Sequence, residues 1–118
     1  MDTVSNTSRR AKRPRHIADC PLTAALGAIG GKWKLICLYW LERKPCRFNE
    51  LQRLLPGITH KMLSLTLREL ERDGLVSRVV QQEVPLQVEY SLTEYGATVR
   101  SLIEATRQWG RQHLNRPR

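Results

Sequence analysis

The hydrophobic period of this 118-residue sequence changes at Gly74, and the change restricts the folds that the chain can adopt. Before Gly74, apolar residues recur every three or four positions, as on one face of a buried helix: Leu63, Leu67 and Leu70. After it, apolar and polar residues alternate in VSRVVQQ and again in VEYSLT, which is typical of half-buried strands. Pro85 lies between the two segments and fits a turn but not a central strand. The second half of the chain is therefore predicted to contain a β-hairpin.

Helical patterns surround the hairpin. Helix-ending residues divide the region before it: Gly30-Gly31, Lys44-Pro45, Pro56-Gly57 and Asp73-Gly74. They predict helices over 21–29, about 32–42, 49–55 with Asn49 as the cap, and about 59–73. Phe48 is expected in a short extended segment before the third helix. The second helix carries an apolar stripe of Trp33, Ile36, Cys37, Trp40 and Leu41. After the hairpin, Thr93 is predicted to cap a final helix over about 94–114.

The order of these elements predicts the fold class: mainly α with a small antiparallel β-hairpin, that is, α+β. A short helix, a tight turn, a second helix and a hairpin are the arrangement of a winged helix-turn-helix. Residues 19–118 would form this domain. Domains that bind only protein share the same order, so a protein–protein interaction module without sequence-specific DNA binding remains the alternative.

The charge of the chain indicates the class of partner. It has 20 basic and 11 acidic residues, a formal net charge of +9 and a pI of about 10.2. This favours nucleic acid or an anionic membrane surface. Residues 1–18 are predicted to be a disordered basic tail, either solvated or lying along phosphates, with five cations: Arg9, Arg10, Lys12, Arg13 and Arg15. No apolar run could span a bilayer and no secretory signal is evident, so a cytoplasmic protein is expected.

The helix predicted at 59–73 has two different faces. Its leucines form the core side, and five residues lie opposite them: Lys61, Ser64, Leu65, Arg68 and Arg72. The first two turns contain no carboxylate that could pair with Lys61. Such a face suits a DNA major groove, where Lys61 and Ser64 would donate to base or phosphate oxygens and Leu65 would contact a thymine methyl. A solvated basic face with one stray leucine is the other interpretation.

The hairpin offers a second candidate contact. Arg78 on its first strand could bind phosphate, although a strand residue facing water explains it equally well. The predicted tip, residues 82–87, has no cation and carries Glu83. A tip inserted between phosphates is therefore disfavoured.

Five motifs, taken in order, resemble the HxlR family of bacterial winged-helix transcription regulators: G-G-K-W, R-F-x-E-L, K-M-L, L-R-E-L-E-x-D-G-L-V and V-E-Y-x-L-T-x-x-G. With Cys20-Pro21 they extend over about residues 19–114. The resemblance implies a homodimer held mainly by the first and last helices. It also implies binding of double-stranded DNA at the half-sites of a near-palindromic operator. On the matching motif the DNA-facing helix is 59–72, which adds Thr59 and His60 to the candidate contacts.

The resemblance also gives Cys20 a candidate role. Several family members sense quinones, aldehydes or oxidants through a cysteine just before the first helix, where Cys20 stands. A thiol near a helix N-terminus feels the positive end of the helix dipole, which favours the reactive thiolate. Sensing of a small electrophile or oxidant and a passive role at the helix entry both remain open. Cys37 is expected to be an inert core thiol, and Cys46, near a loop, could resolve an oxidised Cys20 only if a dimer brings them close.

The sequence contains no signature of an enzyme. It has no nucleophile elbow, phosphate loop, H-E-x-x-H motif or pair of inward carboxylates, and its three cysteines share no C-x-x-C spacing. No catalytic residue, cofactor or metal site is predicted. Two aromatic residues are expected to be structural: Tyr90 in the core and Trp109 in the subunit contact.

Overall fold

The computed structural model describes residues 20–117. The chain divides into two units, Met1–Gly30 and Gly31–Arg118. The basic tail predicted at 1–18 lies outside the described residues. The described part of the first unit is helix α1 (Pro21–Ile29), which follows an extended Cys20 and begins at Pro21. The fixed φ of proline suits the first position of a helix, and the predicted first helix is confirmed.

The second unit combines helices with a three-stranded antiparallel sheet. Its elements are α2 (Lys34–Arg43), β1 (Cys46–Arg47), α3 (Phe48–Leu54), α4 (His60–Arg72), β2 (Val76–Glu83), β3 (Leu86–Leu92), a 3₁₀ turn (Gly96–Val99) and α5 (Arg100–Leu114). The strand order is β1-β3-β2. In the hairpin, Arg78 lies opposite Tyr90 and Val80 opposite Val88. The fold class is confirmed, with one addition: β1 pairs with β3, so the predicted hairpin becomes a three-stranded sheet.

The core of the second unit is built mainly from leucines. The largest side chains without appreciable exposure are Leu38, Leu51, Leu55, Leu63, Leu67, Leu70 and Leu75, together with Cys37 and Cys46. The stripe predicted for α2 is partly wrong: Leu38 is fully buried, whereas Ile36 is 40% exposed and Trp33 and Trp40 are half-buried. Because α3, α4, α5 and β3 all pack on α2, its buried positions do not follow a single apolar stripe. Tyr90 is buried, as predicted.

The starts of α2 and α3 also differ from the prediction. Gly31 takes a positive φ of 82° and a turn follows, so α2 begins at Lys34, two residues late. The extended segment expected at Phe48 is instead β1, and Asn49 is not a cap. Arg47 occupies the cap position of α3, and its backbone N–H donates to Glu50 Oε1 at 2.8 Å. Pairing of Arg47 with β3 keeps that residue extended, and the helix therefore begins immediately after it.

The segment after β3 is fixed to the end of α4. Thr93 Oγ1 donates to the carbonyl oxygen of Gly74 at 2.6 Å and accepts the N–H of Gly96 at 2.8 Å. A Cβ on Gly96 would overlap the carbonyl oxygen of Leu75. Thr93 thus holds the first residue of the 3₁₀ turn, whose N-cap position is Tyr95, and does not cap the final α-helix as predicted. That helix begins at Arg100, six residues later than the predicted Glu94. The close approach of the two backbone segments requires the tighter turn.

Candidate nucleic-acid interface

Helix α4 has defined ends that follow from its sequence. Thr59 is its N-cap, and the Thr59 Oγ1 atom accepts the N–H of Met62 at 3.0 Å. At the other end, Gly74 has a φ of 77° and its N–H donates to the Glu71 carbonyl at 2.9 Å. Glycine adopts this left-handed conformation without steric cost. The helix predicted at about 59–73 is confirmed to within a residue at each end.

The two faces of α4 differ in burial as the spacing predicts. Leu63, Leu67 and Leu70 are at most 1% exposed, and Thr66 beside them is 3% exposed. On the other side lies a row of exposed residues at helical spacings of four, three and four, which we call the cationic row: Lys61, Leu65, Arg68 and Arg72. At 1.5 Å per residue the row is about 16 Å long. Leu65 is 42% exposed within it, and Ser64 at its edge is half-buried.

The charges of the cationic row face solvent with little internal compensation. In the part of the chain that the structure describes, neither Lys61 nor Arg68 forms an ion pair. Arg72 Nε is 3.7 Å from Asp73 Oδ1, at the very end of the helix. The row therefore presents exposed and largely uncompensated positive charges on a helix whose opposite, leucine-rich face is buried.

Two of the predicted contacts, Thr59 and His60, have structural partners. Thr59 uses its hydroxyl oxygen in the cap. The His60 ring lies against Phe48 at the start of α3, with 4.5 Å between the ring centroids. Both residues are nevertheless exposed at the N-terminal end of α4. The Phe48–His60 contact connects the two helices of the helix-turn-helix and was not foreseen, since no local spacing rule relates residues twelve positions apart.

Arg78 belongs to a different element from the cationic row. It is exposed on β2, one of the two edge strands of the sheet. At the tip beyond it, two apolar side chains are strongly exposed beside Glu83: Val84 at 86% and Leu86 at 63%. This composition agrees with the expectation that the tip itself is poorly suited to phosphate.

The three cysteines lie in contrasting environments. Cys20 precedes α1 and is half-buried, and hydrogen bonds from the backbone and hydroxyl of Thr23 and from the backbone of Leu22 lower the pKa of its thiol. Burial, with a smaller effect of Cys46, raises the pKa of Cys37 to about 12. Cys46 lies in β1 and is fully buried, which raises its pKa as well. Cys20 therefore has the greatest tendency of the three to ionise.

Within residues 20–117, no group of three or more His, Cys, Asp or Glu side chains could hold a metal ion. In the same range, no helix is long and apolar enough to cross a membrane.

Comparison with known proteins agrees with this geometry. Residues 28–118 match the HxlR-like helix-turn-helix family. The chain belongs to this family. One relative, named as the HTH-type transcriptional regulator YdeP of Bacillus subtilis, is 50% identical over 97 residues, which are 82% of this chain and 76% of the relative. A regulator from Methanothermobacter thermautotrophicus is 46% identical over 94 residues, covering 80% of this chain and 72% of its own.

Several solved structures share the fold of this chain. The transcriptional regulator ytcD has a TM-score of 0.78 and 46% identity, over 81% of this chain and 98% of its own. The redox regulator HypR in its oxidised form has a TM-score of 0.75 and 46% identity, over 84% of this chain and all of its own. The reduced transcriptional regulator YodB of B. subtilis has a TM-score of 0.69 and 34% identity, over 79% and 92% of the two chains. The predicted HxlR resemblance is confirmed.

Proposed function

We propose that this protein is a homodimeric regulator of transcription that binds double-stranded DNA sequence-specifically through α4. The observation that carries the proposal is the cationic row: an exposed strip of Lys61, Leu65, Arg68 and Arg72 opposite fully buried leucines. The names of the relatives, which are transcriptional regulators, support the same function.

The dimensions of α4 suit the major groove. The groove is about 12 Å wide and admits one helix. Helix α4 packs on the core with its apolar side and carries its cations on the opposite side. It would therefore enter the groove without moving a core residue. Cations at the ends of the row, Lys61 and Arg72, would bind phosphates and set the register of the helix. Side chains between them would then reach base edges.

The middle of the row contains both polar and apolar contacts. Arg68 is long enough to donate to a guanine edge or a phosphate, and Ser64 would donate to a base or phosphate oxygen. Leu65 is apolar and 42% exposed, and a thymine methyl in the groove would cover it. Thr59 and His60 would approach the backbone at the helix N-terminus, and Arg78 would bind phosphate beside the hairpin.

Dimerisation would give the DNA site its symmetry. Large apolar residues are exposed on both helices that we expect to form the subunit contact: Leu22 and Leu26 on α1, and Leu102, Trp109 and Leu114 on α5. Exposed apolar residues on each of these helices favour burial against a second copy. A two-fold dimer presents two α4 helices to two half-sites, so the operator would be near-palindromic with half-sites about one DNA turn or a multiple apart.

Cys20 would make the regulator responsive to electrophiles or oxidants. Its lowered pKa increases the thiolate fraction at neutral pH, and the thiolate is the nucleophile. With a quinone, the sulfur adds to a ring carbon and the ring becomes a hydroquinone thioether, a step that needs no second cysteine. The structural likeness to the redox regulator HypR supports this role.

One experiment tests the function and its alternative. The purified protein selects duplexes from a random pool, with and without a quinone, and the affinity for the selected duplex is measured against salt. We expect the selected duplexes to share a near-palindromic sequence. The slope of log affinity against log salt concentration should be about −0.9 for each phosphate that the protein neutralises. The quinone should release the protein from the duplex. If no sequence is enriched and duplex affinity at physiological salt is negligible, a protein–protein interaction module is the better description.

A further inference from the structure

An ion pair joins two residues that lie 35 positions apart in the sequence. Lys34 Nζ on α2 is 3.1 Å from Glu69 Oε1 on α4. The Lys34 side chain is 14% exposed and that of Glu69 is 32% exposed, so both charges are partly shielded from water. Lys34 follows the G-G-K-W motif directly, and Glu69 lies within L-R-E-L-E.

Glu69 borders the cationic row. It lies four residues after Leu65 and three before Arg72 on α4, so it flanks the surface that the proposed function assigns to DNA. A glutamate at this spacing would ordinarily pair with Arg72. In the structure it contacts Lys34 instead, whereas the ion pair that Arg72 forms within residues 20–117 is the longer one with Asp73.

We propose that Lys34 is a charge-compensating residue for the DNA-binding face. By holding and neutralising Glu69, Lys34 prevents this carboxylate from repelling the phosphates and from capturing Arg72. Lys34 would thereby raise DNA affinity without contacting DNA. The inference rests on the proposed function, because it assumes that α4 faces a duplex.

The expected effect follows from the charges involved. In water, the interaction of two unit charges about 8 Å apart changes a binding constant by about twofold. Salt weakens this interaction further. An uncompensated Glu69 near one or two phosphates should therefore weaken binding by about two- to fivefold per subunit. A dimer carries the substitution twice, so the loss should be about four- to 25-fold on a palindromic operator.

The test is a double-variant cycle on the full-length protein and its selected duplex. Lys34→Gln, Glu69→Gln and the double variant are compared with wild type by fluorescence anisotropy at fixed salt. Lys34→Met serves as a second variant, and thermal unfolding confirms that each protein is folded at the assay temperature. The matched controls are Arg100→Gln and Glu42→Gln, which break the 2.7 Å pair between α2 and α5 and change the net charge by the same amounts.

Three patterns of affinity separate the explanations. Charge compensation predicts a loss for Lys34→Gln, no loss for Glu69→Gln, and no further effect of Lys34→Gln once Glu69 is neutral. If Lys34→Gln weakens binding equally in both backgrounds, Lys34 contacts phosphate itself and the inference is wrong. If all three variants lose affinity alike, the pair acts only as a mechanical tether, which also overturns it. Wild-type protein that fails to bind any duplex would instead refute the proposed function.

Discussion

Arg68→Ala is the substitution that most directly tests the orientation of α4. Arg68 is exposed and forms no ion pair within residues 20–117, so its removal should change the free energy of unfolding by no more than about 0.5 kcal/mol. Its contact with DNA should be worth about 1–1.5 kcal/mol per subunit. Two copies per operator give about 2–3 kcal/mol, which is a roughly 30- to 150-fold loss of affinity.

The salt dependence of binding distinguishes a phosphate contact of Arg68 from a contact with a base edge. If each Arg68 neutralises one phosphate, the variant dimer should show a slope of log affinity against log salt that is shallower by about 1.8. If it reads a base edge, the slope should remain unchanged and the preference at one position of each half-site should relax. The assay is a titration of labelled operator at several salt concentrations near 0.15 M, with Arg116→Ala as a control that removes an exposed arginine beyond α5. An Arg68→Ala protein that binds as tightly as wild type, or no more weakly than the control, would refute the assignment of this face to DNA.

Four further predictions follow: one concerns the core, one a close backbone contact and two the thiols. Leu67→Ala should lower the free energy of unfolding by about 2–5 kcal/mol in urea titrations, because Leu67 is 1% exposed; a loss below 1 kcal/mol would contradict its place in the core. Gly96→Ala should cost about 1–3 kcal/mol or more, since its Cβ would overlap the Leu75 carbonyl, and an unchanged melting temperature would count against that packing. Cys20→Ser should abolish the DNA-release response to quinone, whereas a persistent response would place the sensor elsewhere. In native protein, Cys20 should react with iodoacetamide at lower pH than an ordinary thiol, because its depressed pKa keeps the thiolate populated as pH falls. Cys37, with a pKa near 12, should stay unreactive. Peptide mapping by mass spectrometry distinguishes the two cysteines.

The sequence by itself determined the elements whose signals are local. Helix α4 is one example, because its leucine spacing and the glycine that ends it lie within twelve residues, 63–74. The change to strand periodicity after Gly74 was equally readable, and the two faces of α4 followed from the 100° step of the helix. The cationic row was therefore predictable as a surface, although its contact with DNA is still a proposal.

Only the tertiary structure decided the features that depend on residues far apart in the chain. Pairing of β1 with β3 moved the start of α3, packing of Gly96 on Leu75 delayed α5, and four neighbouring elements decided which side chains of α2 are buried. The partner of Glu69 is the clearest case. Helical spacing favours Arg72, three residues away, yet the folded chain brings Lys34 from α2 within 3.1 Å. Sequence periodicity predicts which residues share a face of a helix. The ion-pair partner of a charged residue, however, depends on how separate elements pack.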